Sequence, residues 1–136
     1  KSPRVYVRDS GIVHALLGLR TLDDILGHPV AGASWEAFAV ESLLAAAPPG
    51  TEPFFYRSAA GAEVDLILEL PGGPVWAIEM KRSSAPTVSK GFHLAAEDVG
   101  AVGRYVVYPG EQDWTVGDVT IIGLRTLIAA LRARAA

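Results

Sequence analysis

The sequence predicts an α/β domain: a mixed central sheet flanked by helices. Two observations carry this reading. The segments from Ala33 to Tyr108 run in the order helix, strand, strand, strand, helix, strand, an alternation that builds a layered sheet rather than a bundle. The hydrophobic period also changes along the chain, helical in SWEAFAVESLLAAA and alternating in EVDLILEL and VWAIEM. With 136 residues, 50% of them hydrophobic and 20% charged, the chain has enough apolar material for one buried core.

In chain order, Val5, Tyr6 and Val7 predict a short strand. Ser10 is placed to cap a helical turn through Ile12, Val13, Leu16 and Leu17 that closes at Gly18. The run Asp9-Ser10-Gly11 reads as a strand-to-helix turn with caps. Thr21 and Asp24 suit the capping of a second short helix, and Pro29 is expected to end that region. A longer helix is expected from Ala33 to Ala47, stopped by Pro48, Pro49 and Gly50. Phe54 to Tyr56 reads as a strand, followed by the two alternating segments. A helix is expected over Val88 to Val99 and a buried strand over Arg104 to Tyr108. The stretch 109–117 reads as a loop, Val119 to Ile122 as a strand, and TLIAALRARAA as a closing helix. The organisation is a single domain, with an N-terminal extension over 1–32, a core over 33–108 and a C-terminal strand and helix over 109–136.

With no cysteine, thiolate zinc sites, disulfide scaffolds and cysteine nucleophiles are excluded, and a reducing compartment, the cytoplasm, is the expectation. No apolar run reaches the length of a membrane span, so no membrane partner is expected. A net charge of -3 offers no global attraction to nucleic acid, so any phosphate contact must come from a local basic cluster. The chain opens without Met on a charged, strand-like segment, which suggests excision from something longer.

The chemistry concentrates in GAEVDLILELPGGPVWAIEMK, Gly61 to Lys81. Alternation puts Val64, Leu66, Leu68 and Leu70 on one face and Glu63, Asp65, Ile67 and Glu69 on the other. In the second strand Trp76, Ile78 and Met80 oppose Val75, Ala77, Glu79 and Lys81. If the strands pair as a hairpin, matching the apolar faces requires an odd-length turn at PGGP, because a two-residue Gly-Gly turn sets Asp65 against Met80. Odd turns set Asp65 opposite Glu79 or Lys81. Two carboxylates about 5 Å apart suit one divalent cation. An ion pair of Lys81 with the acids on a solvated sheet face is the other reading.

The spacing of Asp65 to Glu79-Met80-Lys81, after a helix that carries an acid, resembles the PD-(D/E)XK nuclease superfamily, whose core is αβββαβ. A restriction-endonuclease-like fold is what this resemblance implies. Over nearly the whole chain, VYVRDSGIVHALLGL, GASWEAFAVESLL, FFYRSAAGAEVDLILE and AIEMKRS are similar to the C-terminal domain that follows an AAA-type ATPase module and winged helix in many bacterial and archaeal proteins. That likeness implies an N-terminal ATPase partner module outside this chain. No Walker A motif occurs here, so no ATP site is expected in this chain.

The resemblance implies that Asp65 and Glu79 bind Mg²⁺ or Mn²⁺ and that Lys81 positions or activates the attacking water. Glu36 matches the helix acid beside the metal, with Glu41, about 140° around the helix, as its competitor. Phosphodiester hydrolysis of nucleic acid, DNA ahead of RNA, is the implied activity. Arg57, Arg82 and Lys90 are the implied phosphate contacts. A non-catalytic docking or regulatory module that retains the nuclease fold is the alternative.

The histidines at 14, 28 and 93 are too dispersed for a metal motif and are expected in surface or capping roles. Trp35, Phe38 and Trp76 are expected in the core, Trp114 at the surface, and Arg125, Arg132 and Arg134 on a solvated helix face.

Overall fold

The computed structural model describes Val5 and residues 7–136. The strand expected over Val5 to Val7 includes Tyr6, which lies outside the described residues. Asp9, not Ser10, caps α1 (Ser10–Leu16): its carboxylate accepts the Gly11 N–H at 2.8 Å, and Ser10 is the first helical residue. Thr21 and Asp24 form a capping box at the start of α2 (Leu22–Gly27). Pro29 starts a helix rather than ending a region. Its φ of -55° suits a helix entry, so α3 (Val30–Ala46) begins ahead of Ala33.

The remaining elements are β1 (Glu52–Arg57), β2 (Glu63–Glu69), β3 (Val75–Met80), α4 (Lys90–Asp98), β4 (Gly103–Tyr108), β5 (Trp114–Val116), β6 (Val119–Gly123) and α5 (Leu124–Ala135). The strands form one six-stranded sheet in the order β1-β2-β3-β4-β6-β5. β3, β4 and β6 run parallel, and the other pairings are antiparallel. β5 corrects the loop expected over 109–117. Gly117, at φ 62°, turns the chain so that Val116 pairs with Val119. All three β5 residues are exposed, so the strand has no buried alternation to betray it.

Helices cover both faces of the sheet. α3 and α5 pack on Leu66, Leu68, Ile78, Met80 and Val107. α4 packs on Ile67, Ala77, Val106 and Ile121 from the other side. This corrects the solvated face considered for the odd-numbered positions, since Ile67 and Ala77 are as buried as their even-numbered neighbours. Parallel strands with helices on either side are buried twice. Trp76 lies in the core as expected, with the Arg134 guanidinium 5.1 Å from its ring centroid, so Arg134 is not merely solvated. Phe38, 53% exposed, lies outside the core, whereas Trp35 is half-buried and packs against the α3–α5 side of it.

The β2–β3 hairpin has the odd turn that the pattern demands. Leu66 pairs with Ile78, Leu68 with Trp76 and Glu69 with Val75. Leu70 N–H donates to the Pro74 carbonyl at 2.8 Å, and Gly73 N–H donates to the Leu70 carbonyl at 3.0 Å. Gly72 and Gly73, at φ 89° and 98°, take the positive values that this tight turn needs. Among the described residues no helix is long and apolar enough to cross a membrane.

Candidate functional site

The register that closes the turn also decides what happens at the open end of the hairpin. Between Phe54–Ile67 and Tyr56–Val64 the β1–β2 register slips, so Asp65 and Leu66 together face the single residue Phe55. This is a β-bulge, a device that re-aims side chains. It puts Val64 on the same face as Ile67, under α4, which strict alternation forbids. The backbone pairing of β2 with β3 ends at Leu66 and Ile78, and there the Asp65 carboxylate takes over, its Oδ2 accepting the Met80 N–H at 2.9 Å.

Glu79 stands next to Met80 and is only 9% exposed. The Lys81 ammonium donates to Glu79 Oε1 at 2.7 Å. The second oxygen, Oε2, is buried and finds no donor among the described residues. Burial pushes the Glu79 carboxyl above its usual range; Lys81 opposes the rise, and the charges of Asp65 and Glu63 add to it. Glu63 thus belongs to the patch, a role that its place on the face of Asp65 hinted at and that the spacing motif does not include. Lys81 is held at its own backbone, where its N–H donates to the Val107 carbonyl at 2.8 Å.

The other expected residues fall around this pair unevenly. Arg57 registers opposite Glu63, and the two form an exposed ion pair at 3.7 Å. Lys90 opens α4, beside Gly91, where an added Cβ would lie 3.6 Å from the Ala62 Cα. That close approach brings the first turn of α4 to the start of β2. Arg82 is directed elsewhere, lining a cavity with His14, Ser34, Trp35, Phe38 and Pro109 on the α3 side.

Glu36 shares the α3 stripe of Val40 and Leu43, one turn before Val40, and lines a cavity with Ser10 and Val13 of α1. Glu41 pairs with Arg8 at 3.7 Å instead. The three acids Glu36, Asp65 and Glu79 do not converge: among the described residues no group of three His, Cys, Asp or Glu side chains is placed to hold a metal ion. The histidines keep to local roles, His14 at 2.6 Å from Ser34 Oγ, His28 accepting the Val30 N–H, and His93 beside Asp118.

Asp65, near the start of antiparallel β2, and Glu79 and Lys81, at the end of β3, form a candidate site at one end of the sheet of an α/β domain. The chain belongs to the family described as "Domain of unknown function (DUF4143)", whose profile matches residues 31–127, from α3 into α5. It is 38% identical over 122 residues to "Uncharacterized protein Rv2008c" of Mycobacterium tuberculosis and, equally, to "Uncharacterized protein Mb2031c" of Mycobacterium bovis. Each match covers 89% of this chain and 27% of the relative, so the chain spans about a quarter of the length of these relatives. No solved structure matches it.

Proposed function

We propose that this domain is a divalent-metal-dependent phosphodiesterase of the PD-(D/E)XK type, acting on nucleic acid, with DNA ahead of RNA. The observation that carries the reading is the buried Oε2 of Glu79, which has no donor among the described residues while Asp65 lies close enough to raise the Glu79 carboxyl. An unsatisfied buried carboxylate oxygen costs free energy that a cation offsets. The donor set fits Mg²⁺ or Mn²⁺: hard oxygens from one or two carboxylates, with water and phosphate oxygens completing the shell. When bound, such an ion supplies Lewis-acid polarisation of a phosphate and a lowered pKa for the attacking water.

The rest falls to the chain's own groups. Asp65 and Glu79 would hold the cation, while Glu36 stays apart from them beside α1. Lys81, steered by Glu79 Oε1, presents a proton donor and a positive charge to the phosphate oxygens. Arg57 and Lys90 contact flanking phosphates. In the relatives, the length beyond this domain has room for the ATPase module that the resemblance implies. The reading is tested by titrating Mn²⁺ into the 136-residue chain by calorimetry and by assaying cleavage of supercoiled and single-stranded circular DNA. Asp65→Asn is expected to lose both ion binding and cleavage, and Lys81→Ala to bind the ion but cleave at least about a hundredfold more slowly. Cleavage that survives Asp65→Asn, or an absence of ion binding in the wild type, overturns it.

A second reading is favoured by α1 and α2, which bury no residue and expose Ile12, Leu16, Leu22 and Leu26. On that reading the domain is a docking or regulatory module of a larger ATPase, and the nuclease fold is retained without catalysis.

A further inference from the structure

β3, β4 and β6 run parallel, so their carboxyl ends lie together at one end of the sheet, with the start of β2 beside them. Ligands of open α/β sheets bind at that end. Asp65, Glu79 and Lys81 occupy it on the α4 side. Two cavities occupy it on the α3 side, of about 490 Å³ and 340 Å³, and share Trp35, Phe38 and Pro109 as a common wall.

Apolar side chains, Ile25 and Leu26 of α2 and Leu124 and Ile128 of α5, line the groove together with aromatic and charged ones. Phe38 is 53% exposed, and Trp35 and Phe38 have ring centroids 6.3 Å apart with planes tilted by 41°. The Trp35 indole N–H is buried without an acceptor among the described residues. Each cavity has one arginine in its lining: Arg82, which directly follows Lys81, in one, and Arg125, in the first turn of α5, in the other. Glu111 is the opposing charge on the wall, and His14 adds a neutral or cationic donor beside Arg82. Aromatic faces between cationic groups are the means by which proteins hold unpaired bases and their phosphates. A duplex keeps its bases stacked and offers none to such a wall.

We propose that this groove takes an unpaired stretch of nucleic acid, its bases against Trp35 and Phe38 and its phosphates against Arg82 and Arg125. The strand rounds the end of β3 between Arg82 and Lys81, and so reaches the carboxylate pair. The proposal rests on the reading of that pair as a phosphodiester-cleaving site, and it names the substrate as single-stranded or frayed.

The test is fluorescence anisotropy of labelled oligodeoxyuridylate, oligouridylate and a blunt hairpin duplex with the 136-residue chain in EDTA, where cleavage plays no part. The single strands are expected to bind more tightly than the duplex. Phe38→Ala and Arg82→Ala are each expected to weaken them about tenfold, and Arg82→Ala also to flatten the salt dependence. Leu94→Ala, an exposed apolar truncation on α4, serves as the control and is expected to change nothing. Thermal melts establish that the variants fold, which exposure of Phe38 and Arg82 leads us to expect. A preference for one oligomer names the sugar and supports the groove, as does equal binding of both. Duplex preference, or single-strand affinity indifferent to both Phe38 and Arg82, overturns it. Phe38-dependent binding with no Mn²⁺-dependent cleavage keeps the groove and sinks the hydrolytic reading. Asp65-dependent cleavage with no Phe38 or Arg82 dependence of binding does the reverse.

Discussion

The two ends of the β2–β3 hairpin are built on opposite terms. At the turn end the backbone satisfies itself: Leu70 pairs with Pro74, the glycines absorb the positive φ, and the side chains above are Leu68 and Trp76 in a dry cluster. At the open end the ladder fails and side chains replace it. A bulge displaces Asp65, a carboxylate serves as acceptor for Met80 N–H, and Glu79 is buried with one oxygen unanswered among the described residues. The turn end is made for stability, and the open end gives some of it up to hold charge where charge is costly.

This contrast breaks first at the stable end. Leu68→Ala removes a fully buried side chain from the α3–α5 face, and urea unfolding is expected to show a loss of about 2–5 kcal/mol with the ion affinity of any surviving fold unchanged. A loss below about 1 kcal/mol would mean that this end is not the structural anchor.

At the open end, Asp65→Ala leaves the Met80 N–H without its acceptor, so unfolding is expected to cost about 1–3 kcal/mol. Asp65→Asn keeps an amide oxygen for that bond and is expected to retain most of the stability while losing ion binding. Equal destabilisation by both changes would show that the carboxylate charge, not the hydrogen bond, supports the bulge.

The smallest effect concerns Glu79 and is read against pH. Its carboxyl is raised in the native state, so as pH climbs past the usual carboxylate value the unfolded chain gives up this proton first. The native state then holds more protons than the unfolded state, and stability falls with rising pH across the window up to the raised value. Glu79→Gln lacks that fall, so its urea midpoint is expected to overtake the wild type across the same window and to stay ahead at neutral pH. Added Mg²⁺ is expected to restore the wild type and not the variant. Parallel pH profiles for the two proteins would remove Glu79 from the account.

Much of this was legible from residue order. The helix, three strands, helix and strand of the core lie where their periodicities put them, and the odd turn at PGGP comes from matching two apolar faces. The capping box of Thr21 and Asp24 was equally local. β5 was not legible, because an exposed edge strand of three residues carries no pattern. Nor was the start of α3, because a proline such as Pro29 suits the end of one segment and the first turn of a helix equally well.

The sequence by itself determined that the PGGP turn is odd and that Asp65 falls near Glu79 or Lys81, since side-chain period is a local property of the chain and the two apolar faces must coincide. Only the tertiary structure decided that this face is buried, because α4 returns from later in the chain to cover it. It likewise decided that β2 bulges at Asp65, that Glu79 keeps one oxygen without a donor among the described residues, and that Arg82 lines a cavity with Trp35 and Phe38. Each of these depends on which distant element packs against which face, and strand periodicity carries no information about that.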